Sequence, residues 1–351
     1  MWFWNILPAT SLFMPFFKEH VPNAKLLIMS DDAHTLRKQK LGEEALARHS
    51  SNRLEKIKLE ADVYSVFVKE YQAYQNSDSV MTITSKDLES IISFRARDNF
   101  KLISIPGDEA YDLTDKHINK FSIVKYALSN ENILSSTSLD GRDQCIVFVG
   151  NGANPTNQAA MRWFLSEIMD PLFAELEQEF GPQTFEIIGA EWEGLLEPFI
   201  SMNPRIINRG LLDESDVFSI LDRCKVFVSP ITPASTGLNT KNVLALSRGI
   251  PLVTTTNGAD GLFIERVEGK NSPFFIADQS KDFIRDVVAL YHNKDLWMAT
   301  SSAALKHAHE YFSTFAQAED LQRIMLPFSL ASQSNFVHFI PNESGGAVRD
   351  A

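Results

Sequence analysis

From residue 144 onward, short apolar runs alternate with longer stretches in which apolar residues recur at helical spacing. The apolar runs predict strands at 144–149, 184–188, 205–208, 226–229, 251–255 and 273–277. The helical stretches between and after them lie at 155–180, 192–200, 214–222, 240–247, 280–292 and 295–312. Strands that are apolar throughout and joined by helices form a parallel sheet covered on both faces. The pattern therefore predicts one complete, doubly wound Rossmann-like domain over residues 144–326.

The first part of the chain shows a weaker form of the same pattern. Strands are expected at 25–29, 80–84 and 101–105, and a long helical stretch lies between the first two. Three strands are too few for a free-standing doubly wound domain. Residues 1–106 are therefore expected to form an incomplete Rossmann-like domain. Residues 107–143, rich in Asp, Ser and Asn, are interpreted as an interdomain connection, and 327–351 as a tail.

Two segments raise the question of membrane contact. The N-terminal MWFWNILPATSLFMPFF is apolar, but it is short, lacks a basic start and carries Pro8 and Pro15. We therefore expect an amphipathic or buried helix rather than a signal peptide or a spanning helix. The stretch 34–60 carries seven Lys/Arg against four Glu. It is interpreted as a solvated helix face or, alternatively, as a surface for peripheral contact with anionic lipid or a phosphorylated acceptor.

The composition is that of a soluble globular protein long enough for two domains, with 351 residues, 44% hydrophobic and 22% charged. The formal net charge of −12 argues against a nucleic-acid partner. The two cysteines, Cys145 and Cys224, each adjoin an apolar run. This context favours buried, reduced thiols in a cytoplasmic protein over a disulfide or a metal site.

The segment 229–262 contains the residues that most favour anion binding. An apolar run ends at Ser229, a loop with Gly237 follows, and Lys241 lies at the start of the next helical stretch. A helix N-terminus presents backbone N–H groups and a partial positive charge to an anion, and a lysine adds a mobile cation. We therefore predict half of a nucleoside-diphosphate site here, with Lys241 contacting the phosphates.

A second loop, Gly150-Asn151-Gly152-Ala153-Asn154-Pro155, follows the first strand of this domain. Asn154 suits a helix N-cap and Pro155 the first helical position. Gly150 and Gly152 let the backbone approach a ligand at the carboxyl end of the strand, where open sheets bind ligands. The alternative is a tight turn that needs glycine for its geometry alone. We favour ligand binding.

Together these segments resemble the retaining, nucleotide-sugar-dependent glycosyltransferases of family 4, whose GT-B fold has two facing Rossmann-like domains. The likeness is carried by IVFVGNGANPTNQAAMRWFLSEIMDPL (146–172), FEIIGAE (185–191), NRGLLDESDVFSIL (208–221) and TGLNTKNVLALSRGIPLVTTTNGADGL (236–262). It implies a GT-B-like α/β fold and donor-binding roles for Gly150, Gly152, Asn154, Thr236, Gly237, Leu238, Asn239, Lys241 and Asp260. Lys241 would also be catalytic, because it would stabilise the departing nucleoside diphosphate.

In the N-terminal part the likeness is limited to PNAKLLIMSDDAHTLR (22–37) and SVMTITSKDLESI (79–91). It implies a catalytic role for His34 beside the sugar or acceptor, and acceptor or phosphate contacts for Asp32 and Arg37. A histidine that caps or packs at a strand end is the alternative for His34. Both segments belong to the second half of the family's N-terminal domain, so the chain is expected to lack the first βα units.

The donor block departs from the family at two positions. The family commonly has two glutamates there, where this chain has Thr236 and Leu244. Because a carboxylate accepts hydrogen bonds from ribose hydroxyls, its loss predicts weaker or altered donor binding.

The leading hypothesis is transfer of a sugar from a nucleoside-diphosphate-sugar donor, with retention, to a glycan, lipid or small-molecule acceptor. The sequence contains no Asp-x-Asp motif, so transfer without a metal or other cofactor is expected. The alternatives are a catalytically impaired relative that binds a nucleotide sugar or a partner, and a nucleotide-sugar epimerase.

Overall fold

The computed structural model describes residues 2–3, 14–23, 25–30, 33–47, 52–94, 96–103, 120–231, 237–263 and 272–331. The chain divides into two compact units. The first unit comprises Met1–Ile83, Leu88–Val124 and Leu321–Ala351, and the second comprises Thr84–Asp87 and Lys125–Asp320.

The first unit contains a four-stranded parallel sheet in the order β1-β2-β3-β4. The strands are β1 (Trp2–Phe3), β2 (Leu27–Ser30), β3 (Ser79–Thr82) and β4 (Phe121–Ile123). The helices in this part of the chain are α1 (Met14–His20), α2 (His34–Ala47), α3 (Arg53–Asn76), α4 (Ser85–Ser93) and α5 (Ala96–Asn99). Helix α3 begins at a capping box in which Asn52 and Glu55 exchange hydrogen bonds. Its buried face, which includes Val63, Phe67 and Tyr74, packs in one core with Ile28 and Val80.

The structure corrects three expectations for this part of the chain. Residues 101–103 form no strand, and Leu102 is 39% exposed. A strand lies instead at Phe121–Ile123, inside the segment interpreted as a connection, and pairs with β3. Trp2–Phe3, at the start of the N-terminal apolar segment, pairs with β2, whereas the end of that segment lies in helix α1 as expected. Strands of two or three residues are too short to show a period, so the sequence pattern does not reveal them.

The second unit is built on a six-stranded sheet in which all neighbouring strands are parallel. Its strands are β5 (Asp143–Val149), β6 (Thr184–Ile188), β7 (Ile206–Gly210), β8 (Cys224–Ser229), β9 (Leu252–Thr254) and β10 (Phe274–Ile276). Its helices are α6 (Pro155–Trp163), α7 (Met169–Phe180), α8 (Glu193–Met202), α9 (Glu214–Arg223), α10 (Thr240–Ser247), α11 (Ser280–His292) and α12 (Lys294–Phe312). A π-helical turn at Phe164–Ile168 joins α6 to α7. All the strands and helices predicted for this unit are confirmed, with ends that differ by at most two residues.

The central strands β5, β8 and β9 are buried on both faces, which explains why they are mainly apolar. Alternate residues of β5 enter different cores: Ile146 and Phe148 pack on the face covered by α7 and α11. Cys145 and Val147 pack on the opposite face, against α9, α10 and α12. Because neighbouring strands are parallel, crossover connections must join them, and the helices of these connections cover the two faces of the sheet.

The strand order is β10-β9-β8-β5-β6-β7, which is the doubly wound arrangement. The chain leaves β5 towards β6 and β7, and later leaves β8 in the opposite direction, towards β9 and β10. The loops that follow β5 and β8 therefore diverge. Sheets of this kind bind ligands in the crevice between such loops, at the carboxyl ends of the strands.

The expectation of reduced thiols is wrong. Cys145 and Cys224 form a disulfide, with Cα atoms 4.8 Å apart. The residues lie on the neighbouring strands β5 and β8, and at most 1% of each is exposed. Because 79 residues separate them in sequence, their pairing depends on strand order and is invisible in the local pattern.

The last described helix, α13 (Thr314–Ala331), continues past the point where the tail was expected to begin. The rest of that tail lies outside the described residues. The described residues of the basic stretch lie mainly on α2 and the start of α3, and their contact with a membrane stays a prediction. In the described part of the chain, no helix combines the length and apolar character needed to cross a bilayer.

Candidate functional site

The crevice at the carboxyl ends of β5 and β8 brings together the main residues predicted to bind the donor. The Gly150 loop leads from β5 into α6, and the Gly237 loop leads into α10. Both helices therefore begin beside this crevice. Two helix N-termini directed at one place create a positive potential that favours an anion.

Lys241 lies in the first turn of α10. Its Nζ donates a hydrogen bond to Asn157 Oδ1 at 2.6 Å and lies 5.0 Å from the centre of the Phe148 ring. Burial lowers the pKa of Lys241 from 10.5 to about 8. The ammonium therefore remains mostly protonated at neutral pH, and its two neighbours carry no negative charge.

The Gly150 loop is fixed by hydrogen bonds from side chains of α6 and the next loop. Asn157 Nδ2 donates to the Asn151 carbonyl at 2.9 Å, and Gln158 Nε2 donates to the Gly152 carbonyl at 2.7 Å. Trp192 Nε1 donates to the Gly150 carbonyl at 2.7 Å. Three carbonyl groups of the loop thus accept hydrogen bonds from side chains, and these bonds hold the loop in place without a ligand.

Both predicted glycines also have reasons within the protein. A Cβ at Gly152 would lie 2.2 Å from the Glu191 carbonyl oxygen, and one at Gly150 would lie 2.7 Å from Asn157 Nδ2. Asn154 is the N-cap of α6, as predicted, and its side chain accepts from the Thr156 N–H. Its carboxamide oxygen is therefore already used by the helix. Contact of these three residues with a donor stays a prediction.

The loop before α10 is described only from Gly237 onward, so Thr236 lies outside the described residues. Gly237 has φ 74°, in the left-handed region that glycine adopts most easily. Leu238 packs partly against the core below α10. Asn239 occupies the N-cap position of α10, but its side chain makes no capping hydrogen bond. The first N–H groups of α10 are therefore not capped by this residue.

Asp260 lies in the turn that follows β9. Asn242, completely buried on α10, donates to the Gly258 carbonyl at 2.7 Å and ties this turn to the helix of Lys241. Asp260 forms an ion pair of 2.9 Å with Lys86, a residue of the same unit. It also lines an open groove of about 1140 Å³ between the turn and α12.

Leu244 is half-buried and packs against the core beneath α10. Its backbone carbonyl accepts from Ser247 Oγ at 2.8 Å. An apolar side chain turned into a core offers no acceptor to a ribose hydroxyl. That this position costs the site a carboxylate acceptor for the donor stays a prediction.

In the first unit, the structure describes His34 and Arg37, whereas Asp32 lies outside the described residues. His34 is the first residue of α2, and its backbone N–H donates to Glu70 Oε1 at 2.8 Å. Glu70 Oε2 accepts from the Thr35 N–H at 3.0 Å. The N-terminus of α2 is thus capped by a carboxylate from α3.

Glu70 is a residue that the sequence analysis missed. It is 3% exposed, and burial raises its pKa above the usual value despite the hydrogen bonds from Thr35. Its position among the apolar residues of α3 was the available signal, because a buried acid requires partners. The cavity beside it is about 30 Å³, which leaves room for only a few water molecules and is too small for a sugar.

The described residues contain one group of three side chains with metal-ligating atoms close together. Cys145, Glu186 and Cys224 have such atoms within 4.8 Å of one another. The two sulfur atoms are bonded to each other, and Glu186 accepts from Arg209 Nε at 2.8 Å and Arg223 Nη2 at 2.5 Å. With the thiols oxidised and the carboxylate paired, these atoms are already engaged.

The family comparison agrees with this geometry. Residues 143–293 match the family model described as glycosyl transferases group 1. The matched range runs from β5 to the end of α11 and includes the Gly150 loop and Lys241. This part of the chain is similar to the glycosyl transferases group 1 domains. No curated protein sequence matches the chain.

Solved structures show the same fold at low identity. One similar structure is a TarM mutant from S. aureus in complex with fondaparinux, alpha-GlcNAc-glycerol and UDP. It has a TM-score of 0.55 and 14% sequence identity, and the match covers 88% of this chain and 52% of the TarM chain. The pneumococcal O-GlcNAc transferase GtfA, in complex with UDP and GlcNAc, has a TM-score of 0.56 and 13% identity, covering 90% and 55%. Sucrose-phosphate synthase from Thermosynechococcus elongatus has a TM-score of 0.59 and 11% identity, covering 91% and 71%. The chain has the α/β fold of GT-B glycosyltransferases, and it spans about half the length of the first two structures.

Proposed function

We propose that this protein is a glycosyltransferase that moves a sugar from a nucleoside-diphosphate sugar to an acceptor with retention of configuration. The observation that carries the proposal is the ammonium of Lys241, which lies at the crevice where the sheet order reverses. The matching family over residues 143–293 supports the class of reaction. Two of the similar structures contain UDP, which supports a nucleoside diphosphate as the leaving group.

The proposed chemistry depends on charge development at the diphosphate. When the bond between the sugar and the β-phosphate breaks, the nucleoside diphosphate gains negative charge. A preorganised cation and the N-termini of α6 and α10 stabilise that charge more than they stabilise the ground state, and the barrier falls. Lys241 is the catalytic residue in this proposal, and Gly150, Gly152 and Gly237 let the backbone approach the phosphates.

The remaining roles follow from the residues available. We assign Asp260 to the donor sugar, and His34 and Arg37 to the acceptor or its phosphate. No cofactor enters the proposed reaction. The acceptor is a glycan, a lipid or a small molecule, in keeping with the glycan ligands of the similar structures.

Calorimetry with UDP, GDP and ADP, followed by transfer assays with the corresponding sugars, tests the proposal. Lys241→Ala should weaken nucleoside-diphosphate binding roughly 10- to 100-fold, because a charged hydrogen bond contributes about 1.5–3 kcal/mol. Lys294→Ala is the matched control, since Lys294 forms an exposed ion pair with Asp140. Equal binding and turnover in wild type and Lys241→Ala would refute the proposal.

A second candidate is a protein that binds the nucleotide sugar without transferring it. The apolar Leu244, packed into the core, favours this alternative because it removes a family acceptor for the ribose. In that case, calorimetry would detect donor binding that depends on Lys241, while radiolabelled donor would yield neither transfer nor hydrolysis. The same pair of measurements therefore separates the two candidates.

A further inference from the structure

We propose that Asn157 is a positioning residue that holds the Lys241 ammonium at the crevice and ties it to the Gly150 loop. The inference rests on the proposed function, since it names the residue that sets the phosphate-binding cation in place. Asn157 is 4% exposed and uses both ends of its carboxamide. Its Oδ1 accepts from Lys241 Nζ at 2.6 Å, and its Nδ2 donates to the Asn151 carbonyl at 2.9 Å.

These two bonds fix the orientation of the carboxamide. An ammonium only donates, and a backbone carbonyl only accepts. The oxygen of Asn157 must therefore face Lys241, and the nitrogen must face the loop. The bond between Asn157 and Lys241 spans 84 positions in sequence, whereas the bond between Asn157 and Asn151 spans six.

The bond also crosses the point where the strand order reverses. Asn157 lies in the first turn of α6, which follows β5, and Lys241 lies in the first turn of α10, which follows β8. The loops after β5 and β8 lead in opposite directions along the sheet. The contact between Asn157 and Lys241 connects the helices that follow them. Displacing Asn157 would release the ammonium and remove one of the three side-chain hydrogen bonds that fix the loop.

The electrostatics explain why a neutral partner suits this position. The partial positive charges of two helix N-termini disfavour a cation near them. The ammonium contacts the amide oxygen of Asn157 and the ring of Phe148. The dipole of the amide and the quadrupole of the ring stabilise the ammonium, and neither group carries a negative charge that would neutralise it. A carboxylate at 157 would hold Lys241 equally well but would neutralise it and repel a phosphate.

The first experiment measures the pKa of Lys241 directly and needs no ligand. Competitive reductive methylation across a pH series, read by mass spectrometry, reports the pKa of individual lysines. Asn157→Asp should raise the pKa of Lys241 above about 8, because a nearby negative charge favours the ammonium. Asn157→Ala should lower it, because the hydrogen bond to the charged form is lost.

The matched control is Gln158→Ala, which removes a neighbouring hydrogen bond to the same loop without touching Lys241. It should leave the pKa of Lys241 unchanged. The near-isosteric Asn157→Asp keeps the volume of the side chain, so a folded variant is available if Asn157→Ala fails to fold. An unchanged pKa of Lys241 in Asn157→Asp would overturn the inference.

The second experiment measures UDP binding by calorimetry at neutral pH. Asn157→Ala should weaken binding at least several-fold, and Asn157→Asp should weaken it more although its Lys241 is more fully charged. In the Lys241→Ala background the effect of Asn157→Ala should largely disappear, since coupled residues are not additive. Wild-type affinity in Asn157→Ala would overturn the inference. If the pKa shifts occur but the wild type binds no nucleoside diphosphate, the positioning contact stands and the proposed function fails.

Discussion

The disulfide between β5 and β8 gives a quantitative prediction for stability. The bond closes a loop of 79 residues. In the chain-entropy description, a loop of this length lowers the entropy of the unfolded chain by roughly 15 cal/mol/K, which is about 4.5 kcal/mol at room temperature. Since a domain of this kind is stable by only about 5–15 kcal/mol, reduction should remove a large part of its stability.

Urea unfolding of the oxidised and reduced protein measures the effect. Both cysteines are at most 1% exposed, so the reduced sample must be unfolded and refolded with reductant rather than simply treated with it. With a urea dependence of ~2 kcal/mol per molar, the expected loss lowers the midpoint by roughly 2 M. Nucleoside-diphosphate binding, measured on the refolded sample below its transition, should persist because Lys241 is not part of the bond.

The double variant Cys145→Ala/Cys224→Ala is the control, because reductant should not move its midpoint. Mass spectrometry after alkylation under denaturing, non-reducing conditions should find no reactive thiol in the wild type. Equal midpoints for the oxidised and reduced wild type would refute the reasoning. So would two alkylated cysteines in the untreated protein.

Three further predictions concern particular side chains. Gly152→Ala should lower the free energy of unfolding by about 1–3 kcal/mol in urea titrations, since its Cβ would lie 2.2 Å from the Glu191 carbonyl oxygen. The control is Gly194→Ala in α8, whose Cβ would have no atom within 4 Å and which should be neutral or slightly stabilising. Equal losses of stability in the two variants would contradict the argument. Glu70→Ala should lower the free energy of unfolding by about 2–3 kcal/mol, because it leaves the N–H groups of His34 and Thr35 without their acceptor. Because burial raises the pKa of Glu70 in the folded state, the stability of the wild type should fall as pH rises from the unfolded-state pKa through the folded-state pKa. Glu70→Gln should lack that fall. The affinity for UDP should decrease roughly tenfold between neutral pH and a pH one unit above the Lys241 pKa of about 8. Lys241→Arg should make the affinity independent of pH over this range. A wild-type affinity that does not change with pH would exclude Lys241 as the titrating group.

The fold of the second unit was predictable because its strands are buried on both faces. Thr184–Ile188 and Thr240–Ser247 begin and end where the sequence pattern places them. Continuous apolar runs of this length leave few alternatives once helices separate them. The short strands Trp2–Phe3 and Phe121–Ile123 have no such signature, because two or three residues form a strand only when a neighbour is already in place.

For the candidate site, the position of Lys241 was predictable, because one segment contains both the glycine loop and the start of the helix. The structure places Lys241 in the first turn of that helix, as expected, and its contact with a phosphate stays a prediction. Asn157 and Glu70 were not predicted, because their partners lie 84 and 36 residues away. Each is a polar residue within a buried stripe, and only the folded chain shows what satisfies it.

The proposed function assigns the phosphates and the ribose of the donor to different residues of the crevice. At the phosphate end, the Lys241 ammonium, two helix N-termini and the Asn157 amide leave a positive charge that no described contact of Lys241 neutralises. At the position assigned to the ribose, Leu244 is half-buried against the core and its side chain has no group that accepts a hydrogen bond from a hydroxyl. A missing charged hydrogen bond there weakens binding by about 1.5–3 kcal/mol, an amount comparable to the contribution expected from Lys241 itself. The proposed site should therefore discriminate among nucleotides by their diphosphate more than by their ribose.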